Sequence, residues 1–222
     1  MHSQLKVTIF LVLSVISVLC FLVVATLLKG QPIAHFDSSV IAAIQEMERP
    51  WLTSLMKAFT FIGSTPVVVV ITIVCLFLFF KFLHHRLELV LFLVLIAGTA
   101  ILNFILKMIF QRDRPSLHRL IQETGYSFPS GHSMEAFALY AALAFLLWRH
   151  VPTKRGRTAV ILISILMILS IGISRIYLGV HYPSDVVGAY FASGFWFTFS
   201  VWIFQWYMEN RAKRIPAFKG FN

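Results

Sequence analysis

Acidic residues are scarce in this chain: nine Asp and Glu stand against nineteen Lys and Arg, and charged residues make up only 13% of the total. Ordinary soluble domains carry about 25% charged residues, so a water-facing surface of the usual kind is excluded. Cysteine is rarer still. Cys20 and Cys75 each sit inside an apolar run, with neither metal-ligand spacing nor a disulfide framework. The sequence also shows no internal repeat, no low-complexity tract and no soluble second domain. So few carboxylates leave little from which to build an oxygen-ligated metal centre.

Apolar residues fill the space left by these absences. They form 59% of the 222 residues, with a mean hydropathy of +0.83. A soluble domain of this length has too little interior to hide that much apolar surface, so lipid must be the solvent and the bilayer the first partner. The net charge of +10 would point to nucleic acid in a soluble chain. Here the basic residues lie between apolar spans and form no continuous stripe, so they report anionic headgroups and orientation, with no nucleic-acid partner.

Six uncharged or nearly uncharged stretches are long enough to cross as helices: Val7–Leu28, Phe61–Phe80, Leu89–Leu106, Ser133–Trp148, Thr158–Ser174 and Val186–Met208. A membrane β-strand needs only about 9–11 residues. The expected fold is therefore all-α, a single membrane-embedded domain over residues 1–222 with six transmembrane helices. The first run is longer than the apolar core of a signal peptide and lacks a small-residue cleavage site, so it reads as a retained span. Between the first and second spans, Val40, Ile44, Met47, Trp51, Leu55 and Phe59 recur every three or four positions, broken at Pro50. That periodicity predicts a helical segment lying in the interface.

Orientation follows from the basic residues. With the N-terminus inside, the cytoplasmic set is Lys6, Lys81, Arg86, Arg149, Lys154, Arg155, Arg157, Arg211, Lys213, Arg214 and Lys219. The outer set is Lys29, Arg49, Lys57, Lys107, Arg112, Arg114, Arg119 and Arg175. The bias grows once Lys107, Arg114 and Arg175 are assigned to a site, which places both termini in the cytoplasm.

Polar groups at membrane depth cost about 2.5–3.5 kcal/mol per charge on insertion scales, and here they gather at one end of the last four spans. The first cluster is Lys107 to Arg114-Pro115. Seven residues apart, the two cations fall on one helical face, and Pro115 predicts a helix end at Arg114. In the second, Pro129-Ser130-Gly131-His132, Ser130 is placed as an N-cap and Gly131 permits close approach to the backbone. Free N–H groups at that helix start make an anion site, and His132 is positioned to donate a proton to whatever binds there. In the third, Ser174-Arg175 leads to His181, with Asp185 four residues on to fix the tautomer and leave the other ring nitrogen as a nucleophile. Asn103, one turn before Lys107, reads as a partner for that ammonium or as a bridge between helices. Glu135, one turn after His132, reads as a tuner of that histidine or as an interfacial residue facing polar neighbours of its own. Alternating span directions bring all three clusters to the outer face. Three cations and free amides around two histidines suit a phosphoryl group in transfer.

These patterns, Lys-x6-Arg-Pro, Pro-Ser-Gly-His and Ser-Arg-x5-His-x3-Asp, resemble the three-part signature of the type 2 phosphatidic acid phosphatase superfamily, with eleven identities in order between Lys107 and Asp185. No signature position departs from the pattern. The resemblance implies a lipid phosphate phosphatase acting at the outer membrane face, most readily on phosphatidylglycerol phosphate or undecaprenyl pyrophosphate. It implies His181 as the phosphorus nucleophile, Asp185 as its orienting partner, and His132 as the proton donor that later activates water. Lys107, Arg114, Arg175, the Ser130 hydroxyl and the Gly131 amide would hold phosphoryl oxygens, with Ser174 and Pro129 in support. No metal and no other cofactor is expected, since the basic side chains supply the charge a magnesium ion would bring. Two other readings stay open: a lipid phosphotransferase on the same scaffold, and a non-enzymatic anion or lipid transporter, for which the buried cations would be binding groups.

Overall fold

Eight α-helices and no strand form the described part of the computed structural model, which covers residues 2–82, 86–116 and 118–214. They are α1 (His2–Leu27), α2 (Gln31–Gln45), α3 (Pro50–Ile62), α4 (Thr65–Phe82), α5 (Arg86–Phe110), α6 (Gly131–His150), α7 (Lys154–Tyr177) and α8 (Pro183–Arg214). Five are individually long and apolar enough to cross a bilayer: α1, α5, α6, α7 and α8. α3 and α4 pass the same test only as a pair, bent by 54° at Gly63-Ser64. The second uncharged run, Phe61–Phe80, is thus broken near its start, with α3 on the far side of the bend. The amphipathic segment before it is two helices, divided just ahead of Pro50, where the proline starts α3. Lys219 lies outside the described residues.

Lipid-facing and protein-facing residues separate cleanly. Phe104 and Ile109 on α5, Phe77 and Phe80 on α4, and Leu162 and Leu166 on α7 all point outward. In water such a surface would be untenable; in lipid it is the expected exterior. Half of the α8 span is buried, against 11% of α1, so α8 is the axis around which the others stand. At one end of the bundle Phe92, Leu95, Leu139, Leu146 and Val201 pack together from α5, α6 and α8. Toward the other end Phe128, in the loop before α6, stacks on Phe21 of α1 and meets Phe110 edge-on. That aromatic clamp holds the Pro129-Ser130-Gly131 turn in place.

Chain direction does the rest. α5 and α7 end, and α6 and α8 begin, at this second end of the bundle, with α2 and α3 laid across it. Glu88 with Arg149 and His150 marks the opposite end, where α1 starts and α8 finishes.

Candidate functional site

Lys107 is in the last turn of α5, but that helix stops at Phe110, where Gln111 takes a left-handed conformation with φ 44°. Arg114 therefore comes from an extended loop and not from two turns further along the same helical face. The shared-face expectation is wrong because the helix ends four residues before Arg114. The two charges nevertheless act on one another, and Lys107 also feels Asp185, Glu123 and Arg175. Its ammonium donates to the Tyr126 carbonyl at 2.6 Å.

His181 sits in the tight connection between α7 and α8, which Gly179 makes possible at φ +74°. A Cβ there would meet the His118 carbonyl at 2.3 Å. The ring is buried and held from both sides. Nδ1 faces Asp185 Oδ2 at 3.3 Å, and Nε2 faces Arg114 Nη1 at 3.0 Å. A guanidinium can only donate, so Nε2 is the acceptor and the neutral ring carries its proton on Nδ1. Burial pushes the His181 ring down to about 4; Asp185 opposes this, and Arg175 and Arg114 add to it. The ring is thus neutral at neutral pH, with its lone pair directed at a cation.

Asp185, in the first turn of α8, is buried and surrounded by donors. Oδ2 accepts from the Tyr182 amide at 2.8 Å and from the Ser127 hydroxyl, while Oδ1 accepts from Arg112 Nη1 at 2.6 Å. The Ser127 hydroxyl also lies 3.4 Å from His181 Nδ1. Arg114 Nε and Nη2 donate to the carbonyls of Gly125 and Thr124, each at 3.0 Å, and Nη1 also reaches Val180 O at 3.0 Å. One guanidinium thereby ties the loop before α6 to the loop before α8.

Arg175, 1% exposed in the last turn of α7, donates Nη2 to Glu123 at 2.6 Å and Nη1 to the Thr60 hydroxyl of α3. Its Nε is buried and makes no hydrogen bond to any described residue. Burial works against the Glu123 carboxylate, but the Arg175 bond and charge hold it below the usual range. His132 stands in the first turn of α6, and the charges of Arg175, Glu123, His181 and Arg114 all act on it. Two histidines, three basic residues and the start of α6 are thus brought into one polar layer.

Ser130 occupies the N-cap position of α6, but its hydroxyl makes no capping bond and accepts from Ser133 Oγ at 2.9 Å. The expected side-chain cap is absent, which leaves the first amides of α6 available to a bound anion. Gly131 packs against Asn103, whose Oδ1 would lie 3.2 Å from any Cβ. Asn103 itself donates to Pro129 O at 3.2 Å, so it bridges helix and loop and does not bond Lys107. Ser174 donates to Ile171 O of its own helix at 2.6 Å. Glu135 accepts from Thr65 on α4 at 3.0 Å and keeps its second oxygen buried without a partner, so its neighbour is α4 and not His132.

Several residues of this layer carry no motif spacing. Asp37 of α2 and Arg112 pair at 2.8 Å, and Glu123, Ser127 and Thr60 complete the inner ring. Four cations (Lys107, Arg112, Arg114 and Arg175) thus face three carboxylates, a smaller positive excess than three bare cations imply. Among the described residues no group of three or more His, Cys, Asp or Glu is placed to hold a metal ion.

The comparisons with known proteins agree with this architecture. The PAP2 superfamily profile matches residues 88–209. Phosphatidylglycerophosphatase B of Bacillus subtilis is 33% identical over 176 residues, 78% of this chain and 85% of its own length. The putative undecaprenyl-diphosphatase YbjG of Escherichia coli is 29% identical over 154 residues, 64% of this chain and 69% of its own. The crystal structure of the transmembrane PAP2-type phosphatidylglycerolphosphate phosphatase from Bacillus subtilis superposes with a TM-score of 0.75 at 27% identity, covering 93% of this chain and 98% of the other. A multi-pass helical bundle, a polar layer at its helix ends and these matches make the chain a membrane phosphatase, and it belongs to the PAP2 superfamily.

Proposed function

We propose that this protein removes phosphate from a membrane lipid through a phosphohistidine on His181, without a metal, at the extracytoplasmic face. The observation that carries the reading is the pinning of His181: Asp185 holds Nδ1 and Arg114 lies against Nε2, so the nucleophilic lone pair already faces a phosphate-binding cation.

In the first step His181 Nε2 attacks phosphorus. The N–P bond forms as the P–O bond to the lipid breaks, and His132 gives its proton to the departing oxygen. Arg114, 3.0 Å from Nε2, is within reach of the oxygens of a phosphoryl group seated there. Arg175 Nε, Lys107, the Ser130 hydroxyl and the amide of Gly131 offer further donors for the charge that develops on those oxygens. In the second step water attacks phosphorus from the leaving-group side and His132 takes its proton. The P–N bond breaks, releasing phosphate and restoring neutral His181. Asp185 stabilises the positive ring during the intermediate stage.

Support for a lipid substrate comes from the setting. The layer lies at helix ends, with the amphipathic α2 and α3 across it and Trp51 exposed at the rim. The Bacillus and Escherichia relatives carry the names of a phosphatidylglycerophosphatase and an undecaprenyl-diphosphatase, so phosphatidylglycerol phosphate and undecaprenyl pyrophosphate are the substrates we favour. The basic-residue bias favours cytoplasmic termini and an outer site. The test is phosphate release by purified protein in detergent from these two lipids and from phosphatidic acid, with and without a strong chelator. We expect release with no acceptor lipid added, unchanged by the chelator. Dependence on an acceptor would favour the phosphotransferase, and no release at all the transporter.

The pH profile offers a second check. His181 must be neutral to attack, and its ring is held down at about 4. The acid limb of kcat/KM should therefore fall as pH drops through about 4. An acid limb near about 6.5, the value of an unperturbed histidine, would contradict the buried, neutral nucleophile.

A further inference from the structure

Arg112 lies outside every motif spacing, yet it pairs with two carboxylates of the polar layer. Its Nη1 donates to Asp185 Oδ1 at 2.6 Å and to Ser184 Oγ at 2.7 Å, and its Nη2 donates to Asp37 Oδ2 at 2.8 Å. The guanidinium rests over the Tyr182 ring, 4.0 Å from its centroid. Burial works against its charge, but Asp185 and Asp37 more than offset that and raise it. Asp37 is itself 2% exposed in the middle of α2; it accepts from the Ser184 amide at 2.8 Å and the Ser184 hydroxyl at 2.6 Å.

We propose that Arg112 and Asp37 are positioning residues for the dyad, clamping the Asp185 carboxylate so that its other oxygen serves His181, and thereby making the nucleophile's orientation depend on where the interfacial helix α2 sits. The proposal rests on His181 being the nucleophile. The physical reason is the division of labour at Asp185. Arg112 takes Oδ1, which fixes the carboxylate plane and leaves Oδ2 for His181, Ser127 and the Tyr182 amide. A planar fork can bridge two carboxylates at once, which a lysine ammonium does poorly. A guanidinium between two carboxylates is also satisfied on both sides, whereas losing either partner leaves buried charge uncompensated. Asp37 touches no reacting atom. Its influence runs through Arg112 and through the first turn of α8, where it occupies the place of an N-terminal cap supplied by another helix.

The test uses the full-length protein in detergent with short-chain phosphatidic acid, comparing the parent with Arg112→Gln, Arg112→Lys, Asp37→Asn and the double variant Asp37→Asn/Arg112→Gln. Asparagine at 37 keeps an acceptor for the Ser184 amide, while its NH2 replaces the oxygen that accepts from Arg112, so that substitution breaks the Asp37–Arg112 contact and spares the bond to α8. We expect Arg112→Gln to lower kcat by about 10–100-fold, the range seen when outer partners of metal-bound histidines are removed, with KM moving less than about threefold. Arg112→Lys should retain an intermediate rate. Asp37→Asn should lower kcat alone but add little in the Arg112→Gln background, because contacting residues of one network are not additive. Losses that multiply in the double variant, a change confined to KM, or a kcat near the parent's in both single variants would overturn the proposal. If Arg112→Gln does not fold, the Lys and Asn variants carry the same comparison. A His181→Ala control run alongside separates the two claims. Activity in that control removes the nucleophile itself, whereas an inactive control beside a fully active Arg112→Gln removes only the clamp.

Discussion

His181→Ala will lose turnover by about 10⁴-fold or more, the scale on which enzymes respond to removal of a covalent nucleophile, while the protein still inserts and binds lipid. The reasoning starts from burial. His181 is 1% exposed and its two nitrogens have separate tasks, Nδ1 toward Asp185 and Nε2 toward Arg114. No other imidazole in the described layer has a carboxylate behind it and a cation in front. His132, at the start of α6, feels the charges of Arg175, Glu123, His181 and Arg114 but is not held between a carboxylate and a cation in this way. The small cavity left by the substitution should cost stability of the size usual for a truncated buried side chain, about 2–5 kcal/mol. Thermal unfolding in detergent would register that cost separately from the rate. Acid-labile phosphate trapped on the parent during turnover, and absent from the variant, is the companion result. A variant that still releases phosphate at a tenth of the parent rate would end the His181 assignment.

Asp185→Asn should be nearly as severe, about 10⁴-fold in kcat by analogy with the orienting aspartate of serine proteases. The carboxylate accepts from four directions: Arg112, Ser127, the Tyr182 amide and His181. An amide cannot accept from all four. Placed toward Oδ2, its NH2 opposes three donors; placed toward Oδ1, it opposes Arg112. In either rotamer the negative charge that steadies a phosphorylated, positive ring is gone. Arg112 keeps Asp37 at 2.8 Å, so the fold should suffer less than the about 3–5 kcal/mol of a buried charge left wholly alone. A measured kcat above a tenth of the parent would show that His181 orients itself without the carboxylate.

Much of this geometry can be read along the chain, and particular residues show where the reading stops. Periodicity and apolar length place the spans, because lipid forces every backbone polar group into helix and leaves few alternatives. Alternating direction then brings Lys107, His132, Arg175 and Asp185 to one end without any tertiary information. The helix end at Phe110 is less accessible: Pro115 announces a break near Arg114, but the chain leaves the helix earlier, at the left-handed Gln111. Ser130 has the identity of a cap and the position of one, yet its hydroxyl turns to Ser133. Side-chain choice between two nearby donors depends on packing that spacing does not encode.

Asp37, Arg112, Glu123 and Ser127 share a different obscurity, since each is reached from a loop or an amphipathic helix with no fixed separation from the motifs. One signal was available. Asp37 is one of three acids, with Glu46 and Glu48, between the first two spans, and a carboxylate turned toward the membrane interface there needs a cation. Of the basic residues at that end of the bundle, Arg112 is the one that meets it.

Arg175 leaves a final consequence. Its Nε–H is enclosed by protein and answered by no described neighbour, and an unmet buried donor costs a fold about 1–3 kcal/mol. An arriving oxyanion that accepts from that nitrogen relieves the cost on contact, whereas a dephosphorylated alcohol, lacking the charge, relieves less of it. On the phosphatase reading proposed above, the same atom would favour a phosphorylated lipid over its dephosphorylated product.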